Sequence, residues 1–276
     1  MDRPVISFLS DFGARDPSAA ICRGVILGIV RDAQIVDISH EVRKWSVRDG
    51  ALLLWSALPY LPVGVHLAVV DPGVGTARRP IAIRTGRGDV LVGPDNGLLV
   101  PAAERLGGIS EARSIENRDL MLPTVSSTFH GRDIFAPVAA HLAAGTPFTI
   151  VGPALDPARL VRLPWPAPEI SPGELRTAVL YVDTFGNVKL GAMAADLEAA
   201  LGTLEPGRWL EVRSASGVVV LPWTATFGDV AEGAVCLYED SFGRLSFAAN
   251  QASAATIVGL AEDALVRIRA AEGQRR

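Results

Sequence analysis

Along the first half of the chain, apolar residues switch between two spacings. Residues 5–10, Val-Ile-Ser-Phe-Leu-Ser, form a short apolar run that predicts a buried strand. Residues 19–30 place apolar side chains at helical intervals, and 34–38 return to a strand pattern. A helix over 47–58 and a strand over 66–70 follow. Residues 81–84 and 90–92 predict a hairpin around Gly86-Arg87-Gly88, and 96–106 and 134–144 predict two further helices. This alternation predicts an α/β domain built on a mostly parallel sheet.

Beyond it the pattern changes. Pro164-Trp165-Pro166-Ala167-Pro168, followed by Ser171-Pro172-Gly173, predicts a stiff linker, because each proline fixes its own φ and biases its neighbour to extended backbone. Short β-rich runs at 175–182, 188–190, 209–212, 218–221, 234–238, 245–248 and 265–268 then predict a small all-β, barrel-like domain. The expected organisation is an α/β domain over 1–163, a linker over 164–173 and a β domain over 174–276. No internal repeat or low-complexity tract interrupts it.

Composition narrows the class. With 49% hydrophobic and 20% charged residues, the chain has the make-up of a globular protein with a real core. A net charge of −4, with no dense Lys/Arg run, argues against nucleic acid as partner, and the basic end Gln274-Arg275-Arg276 reads as a solvated tail. The most apolar region, 51–70, is broken by Pro59 and Pro62 and does not predict a membrane span. The chain enters its first strand without a signal-like leader, and its two cysteines, Cys22 and Cys236, make no metal or disulfide framework. A cytoplasmic protein without a metal or redox cofactor is expected.

Several short motifs carry candidate chemistry. Val70-Asp71-Pro72-Gly73-Val74-Gly75-Thr76-Ala77-Arg78-Arg79 delivers a carboxylate to the end of a strand, then a glycine turn, then a guanidinium. Ser10-Asp11-Phe12-Gly13 ends the first strand, where open α/β sheets bind ligands, and a carboxylate there can take two hydrogen bonds from a ribose diol. Asp16 lies at the mouth of the next helix, where it can serve as an N-cap. Gly93-Pro94-Asp95-Asn96-Gly97 reads as a turn with a helix start. His130, in Phe129-His130-Gly131-Arg132-Asp133, is set apart from His40, His66 and His141 by its polar, glycine-bearing loop. In the second half, Asp183-Thr184-Phe185-Gly186-Asn187 and Asp240-Ser241-Phe242-Gly243-Arg244 form two polar turns, and Asn187 offers the donor and acceptor that an adenine edge requires. Zinc-helix, paired Cys-x-x-Cys, calcium-loop, dinucleotide Gly-x-Gly-x-x-Gly and kinase signatures are missing.

Taken in order, these motifs resemble the S-adenosyl-L-methionine (SAM) hydrolases that form adenosine, also called SAM hydroxide adenosyltransferases, which are relatives of the fluorinating and chlorinating enzymes. The resemblance covers nearly the whole chain. It implies an N-terminal α/β domain, a C-terminal β-barrel and a homotrimer with sites between neighbouring subunits. It also implies a catalytic Asp, Arg and His, falling on Asp71, Arg78 and His130, with Arg78 chosen over Arg79 by its place in the motif. Implied ligand contacts fall on Asp11, Asn187, Ser241 and the backbone near Ala249, with Trp45 as an aromatic near the substrate. Asp16, Phe129 and Asp183 complete the expected substrate-binding set.

The implied reaction is in-line attack of water or hydroxide on ribose C5′, giving adenosine and L-methionine. The sulfonium leaves as a neutral thioether and needs no acid; the nucleophile is the difficulty, since bulk water has a pKa of about 15.7. The halogenating relatives lack the equivalent of Asp71, differ at His130, and in the fluorinating case carry an insertion where this chain has only Gly86-Arg87-Gly88-Asp89. These differences favour water over halide. A halogenase-like substitution and a non-catalytic adenosine or SAM sensor are the alternatives.

Overall fold

The computed structural model describes residues 3–271, so the Gln274–Arg276 tail lies outside the described residues. The chain divides into two compact units, Met1–Leu163 and Pro164–Arg276.

The first unit is built on a seven-stranded sheet. Its strands are β1 (Val5–Ser10), β2 (Gln34–Ser39), β3 (Val65–Val69), β4 (Pro80–Thr85), β5 (Val90–Pro94), β6 (Ile109–Ser114) and β7 (Ala154–Leu155), in the order β2-β1-β3-β5-β4-β6-β7. The expectation of a mostly parallel sheet holds for half of it. β2, β1, β3 and β5 run parallel, but β5-β4, β4-β6 and β6-β7 are antiparallel. The hairpin makes the first reversal, and β6 makes the second. The sequence pattern missed β6 because Glu111 and Arg113 break its apolar run; on the strand they pair with each other, and Glu111 also reaches Arg84 at 3.4 Å.

Helices cover both faces. On one face α1 (Ser18–Ile29) and α4 (Ala136–Ala143) bury Cys22, Ile26, Val138 and Ala139 against Ile6, Phe8, Leu67 and Val92. On the other, Gly50 of α2 (Val47–Ala57) lies so close to Leu98 and Val70 that a Cβ would meet both at 2.9 Å. The short α3 (Val100–Arg105) occupies only the end of the predicted 96–106 helix, and Ser46 caps α2 through the Asp49 amide. Each fully buried Phe or Leu contributes about 2–3 kcal/mol of transfer free energy, so this two-sided core holds the strand ends in place.

Inside the sheet His66 bonds Ser7 Oγ at 2.8 Å and Asp89 at 2.9 Å, all fully buried. Burial alone would raise the Asp89 carboxyl, but hydrogen bonds from His66 and Arg87 outweigh it and hold that group below the usual carboxylate range.

The second unit is an eight-stranded antiparallel sheet. β8 (Glu169–Ser171) forms within the stretch expected to be linker and pairs with β9 (Glu174–Val182). β10 (Val188–Met193), β11 (Trp209–Ser214), β12 (Gly217–Pro222), β13 (Val235–Glu239), β14 (Arg244–Ala249) and β15 (Leu265–Ala270) complete the path β12-β11-β15-β9-β10-β14-β13. A bridge between Trp223 and Leu237 joins the two ends, so the sheet is nearly closed into a barrel. Its core is Leu175, Val179, Leu190, Leu210, Phe247 and Ile268, with α5 (Ala194–Leu201) and α6 (Ala254–Val258), two helices the sequence pattern did not predict, packed against it. Among the described residues, no helix is long and apolar enough to cross a membrane.

Candidate active site

β1, β3 and the turn before α4 each end at the same cleft of the first unit. Asp11, Asp16, Trp45, Asp71, Phe129 and His130 all line it, together with Phe12, Lys44 and Val74, around about 320 Å³. Asp11 follows β1. Its Oδ2 accepts the Trp45 backbone N–H at 2.9 Å, and Lys44 Nζ donates to its carbonyl. Trp45 sits at φ 63°, in the left-handed region a bulky residue rarely adopts, and its side chain is largely exposed at the cleft. Such a backbone persists only where surrounding contacts impose it; here the bond to Asp11 is one of them. Asp16 is not a helix cap. Pro17 holds that position in α1, without a side-chain cap bond, and leaves the Asp16 carboxylate to the cleft.

The loop after β3 is folded on itself. Val74 N–H donates to the Asp71 carbonyl at 3.2 Å, and Thr76 closes a second turn on Gly73. Gly75 has φ 76°, and a Cβ there would meet the Ser127 carbonyl at 2.3 Å, so glycine lets this loop lie against the one carrying His130. Gly131 admits the Phe12 ring edge in the same way, and Phe12 packs edge-on against Phe129 at 5.7 Å.

The result is a hydrogen-bonded chain of three side chains. Arg78 grips Asp71 with both prongs of its guanidinium, Nε to Oδ1 at 3.1 Å and Nη2 to Oδ2, and the same Nη2 lies 3.1 Å from His130 Nδ1. Both Arg78 and Asp71 side chains are more than nine-tenths buried, where a fork-to-carboxylate pair is strongest. A guanidinium has no acceptor, so His130 Nδ1 carries the lone pair and the neutral ring holds its proton on Nε2. Burial first, and then the Arg78 charge, push the imidazole below its ordinary value, against smaller opposing effects of Asp71, Asp133 and the Ser126 carbonyl. Arg78 Nη1 is buried and has no acceptor among the described residues. Arg79 turns away and bonds Asp95 instead.

The second unit has its own cleft of about 680 Å³, lined by Asp183, Asn187 and Ala249 with Phe185 and Phe227. Asp183 accepts three bonds from its own turn: Phe185 N–H at 3.0 Å, Asn187 N–H at 2.9 Å and Asn187 Nδ2 at 2.9 Å. Those bonds orient the Asn187 amide and leave its oxygen and one N–H for a ligand. Phe227 meets Tyr238 edge-on at 6.3 Å, which fixes its ring. Ser241 is not among the lining residues. It is the exposed tip of the β13–β14 hairpin, whose turn Asp240 builds by accepting from Phe242 N–H at 2.9 Å and Lys189 at 2.8 Å.

Sequence reasoning missed Lys44, Phe185 and Phe227. Lys44 directly precedes Trp45, which the resemblance singles out, and Phe185 lies inside the Asp183–Asn187 turn. Phe227 stands in a segment, Thr226-Phe227-Gly228, with no pattern to mark it. Among the described residues, no three His, Cys, Asp or Glu side chains are grouped to hold a metal ion.

Comparison with known proteins agrees with this division. Residues 6–152 match the model of the SAM hydroxide adenosyltransferase N-terminal domain, and 177–267 match that of the C-terminal domain. An (R)-S-adenosyl-L-methionine hydrolase from Salinispora tropica is 46% identical, over 97% of this chain and 98% of its own length. A fluorinase from Actinopolyspora mzabensis is 32% identical, over 96% and 97%. Among solved structures, an uncharacterized conserved protein from Thermotoga maritima superposes with a TM-score of 0.89 at 36% identity, covering 96% of this chain and 99% of that one. The chain belongs to the SAM hydroxide adenosyltransferase family.

Proposed function

We propose that the protein hydrolyses S-adenosyl-L-methionine to adenosine and L-methionine, with Asp71, Arg78 and His130 as its catalytic residues. One observation carries this reading. Three side chains from two loops form a single bonded chain, and two of them line a cleft that also holds Asp11 and Trp45. The substrate-binding residues are Asp11 for the ribose diol, Trp45 and Phe129 beside it, Asp16 and Ser241 toward the methionine tail, and Asn187, held by Asp183, with the Ala249 backbone for adenine.

Water attacks C5′ as the C5′–S bond breaks, and the bond pair leaves on sulfur as neutral methionine thioether. One proton is released. Asp71 takes it, because each of its oxygens keeps a lone pair beyond the Arg78 bonds. A modest base suffices, since the water becomes strongly acidic as its C–O bond forms. His130 is a poor acceptor: protonating Nδ1 would break its bond to Arg78 and set two cations side by side. Its part is to hold Arg78 and donate through Nε2. Arg78 does not line the cleft; it acts through the two residues that do, orienting Asp71 and placing its charge behind the developing hydroxide. Cancelling the sulfonium charge lowers the barrier further where bound substrate displaces water from the cleft.

The name of the Salinispora relative specifies the R configuration at sulfur, and we assign the same preference here. Attack occurs at C5′, so discrimination between sulfur epimers comes from where the methionine tail points. The family resemblance supports a homotrimer with sites between neighbouring subunits, and sedimentation as a three-chain species tests it.

Incubation with each sulfur epimer in oxygen-18 water tests the chemistry. Adenosine labelled at the 5′ oxygen, formed faster from the R epimer, is expected. A 5′-halogenated product in high chloride, or bound but intact SAM, would replace the hydrolase with a halogenase or a sensor.

A further inference from the structure

The motif Gly93-Pro94-Asp95-Asn96-Gly97 is prominent in the sequence, yet none of its residues lines the cleft. Its contacts lead to the ends of the catalytic loop. Asn96 Nδ2 donates to the Val70 carbonyl at 2.8 Å, one residue before Asp71. Asp95 Oδ2 accepts from Arg79 Nε at 2.9 Å and also from Nη2, one residue after Arg78. The backbone repeats the second tie, with Asp95 N–H donating to the Arg79 carbonyl at 2.9 Å. Asp95 itself is anchored by Val161 N–H at 2.9 Å, and Arg79 Nη2 reaches the Arg159 carbonyl at 3.0 Å.

The remaining motif residues fit the same purpose. A Cβ on Gly93 would meet the Ala68 carbonyl of β3 at 2.3 Å, so glycine lets β5 close on the strand that leads to Asp71. Gly97, at φ 93°, turns the chain tightly against Leu163. Bonds inside residues 71–78 set the shape of that loop. The ties at 70 and 79 set its place on the sheet, and hence the distance from Arg78 to His130.

We propose that Asn96 and Asp95 are positioning residues of the reaction, a clamp on both ends of the Asp71–Arg78 loop. The kinetic consequence rests on the hydrolase reading above; the geometric one does not. A misplacement of about 1 Å at a reacting group can cost about 10²-fold in rate. Neither residue touches substrate, so the loss falls on kcat while KM for SAM stays where it was.

Asn96→Asp is the sharpest variant. Its carboxylate still accepts the Leu98 N–H that Asn96 Oδ1 takes at 3.2 Å, but it has no donor for the Val70 carbonyl. Arg79→Ala releases the other end, and Arg79→Lys restores one charge opposite Asp95. Each is measured for folded fraction by circular dichroism, for kcat and KM with SAM, and for the Arg78 Nε–H resonance in nitrogen-15 spectra of the ligand-free protein. For Asn96→Asp, kcat per folded molecule should fall about 10- to 100-fold with KM unchanged and the Arg78 resonance shifted. Arg79→Ala should do the same, and Arg79→Lys should recover part of the loss. Wild-type kcat per folded molecule, or an unmoved Arg78 resonance, in Asn96→Asp overturns the clamp. If the wild-type protein releases no adenosine, the hydrolase reading fails, and the Arg78 resonance alone decides whether the clamp exists.

Discussion

The clefts of the two units each present an aspartate in a glycine-bearing turn, and the two carboxylates are used in opposite ways. Asp183 spends its hydrogen bonds on the amides of its own loop, so it shapes the turn and aims Asn187. Asp71 is gripped by a cation from seven residues on, and that cation also reaches a histidine. One turn is held by its own hydrogen bonds beside two phenylalanines, and recognition is its proposed role. The other couples three titratable or charged groups, so that moving a proton on one alters the others. A carboxylate's role therefore follows from what its oxygens touch more than from the motif around it.

Five substitutions test that contrast. Asp71→Ala strands the buried Arg78 guanidinium and removes the water contact, so kcat should fall about 10²- to 10³-fold with little change in KM, read by initial rates of adenosine release. Phe227→Ala in the second unit should instead raise KM about tenfold with kcat retained, since stacking on a base contributes about 1–3 kcal/mol. Equal losses in kcat from both substitutions would erase the proposed separation of roles.

Asp183→Ala and Asn187→Ala should each raise KM about fivefold, the value of a hydrogen bond near 1 kcal/mol. The double variant should be little worse than either single one, because Asp183 acts through Asn187. Additive effects would mean that Asp183 meets the substrate itself.

The smallest effect concerns pH. His130 titrates below its ordinary value in the folded protein. As pH drops through about 6.5, the unfolded chain binds a proton that the folded one resists, so His130 costs stability there. The penalty levels off once pH passes below the folded-state value. Thermal melts from neutral to mildly acid pH should show His130→Asn losing less stability than wild type over that interval. Parallel curves would mean that burial and the Arg78 charge do not hold His130 below its ordinary value.

Much of the first unit was legible because its strands are short and apolar and its helices repeat at their own period. β6 escaped because paired charges, Glu111 and Arg113, occupy positions where the pattern expects apolar residues. Asp16 looked like a helix cap, a role that any acidic residue before a helix can fill; Pro17 took that position instead. The Asp71 loop was visible as a glycine turn, but its clamp was not, since the bond from Asn96 to Val70 spans 26 positions. The unit-two phenylalanine at 227 carried no local signature at all.

By itself the sequence determined most elements of the first unit, the motifs at strand ends and the family they resemble, because periodicity and turn chemistry act over a few residues. Tertiary structure decided which half of the sheet runs antiparallel, and how Arg78, the arginine the resemblance selects, bonds both Asp71 and His130, 52 residues beyond it. Those pairings depend on which distant surfaces bury together and on every buried donor finding an acceptor. Both conditions are properties of the whole fold, and no window of sequence contains them.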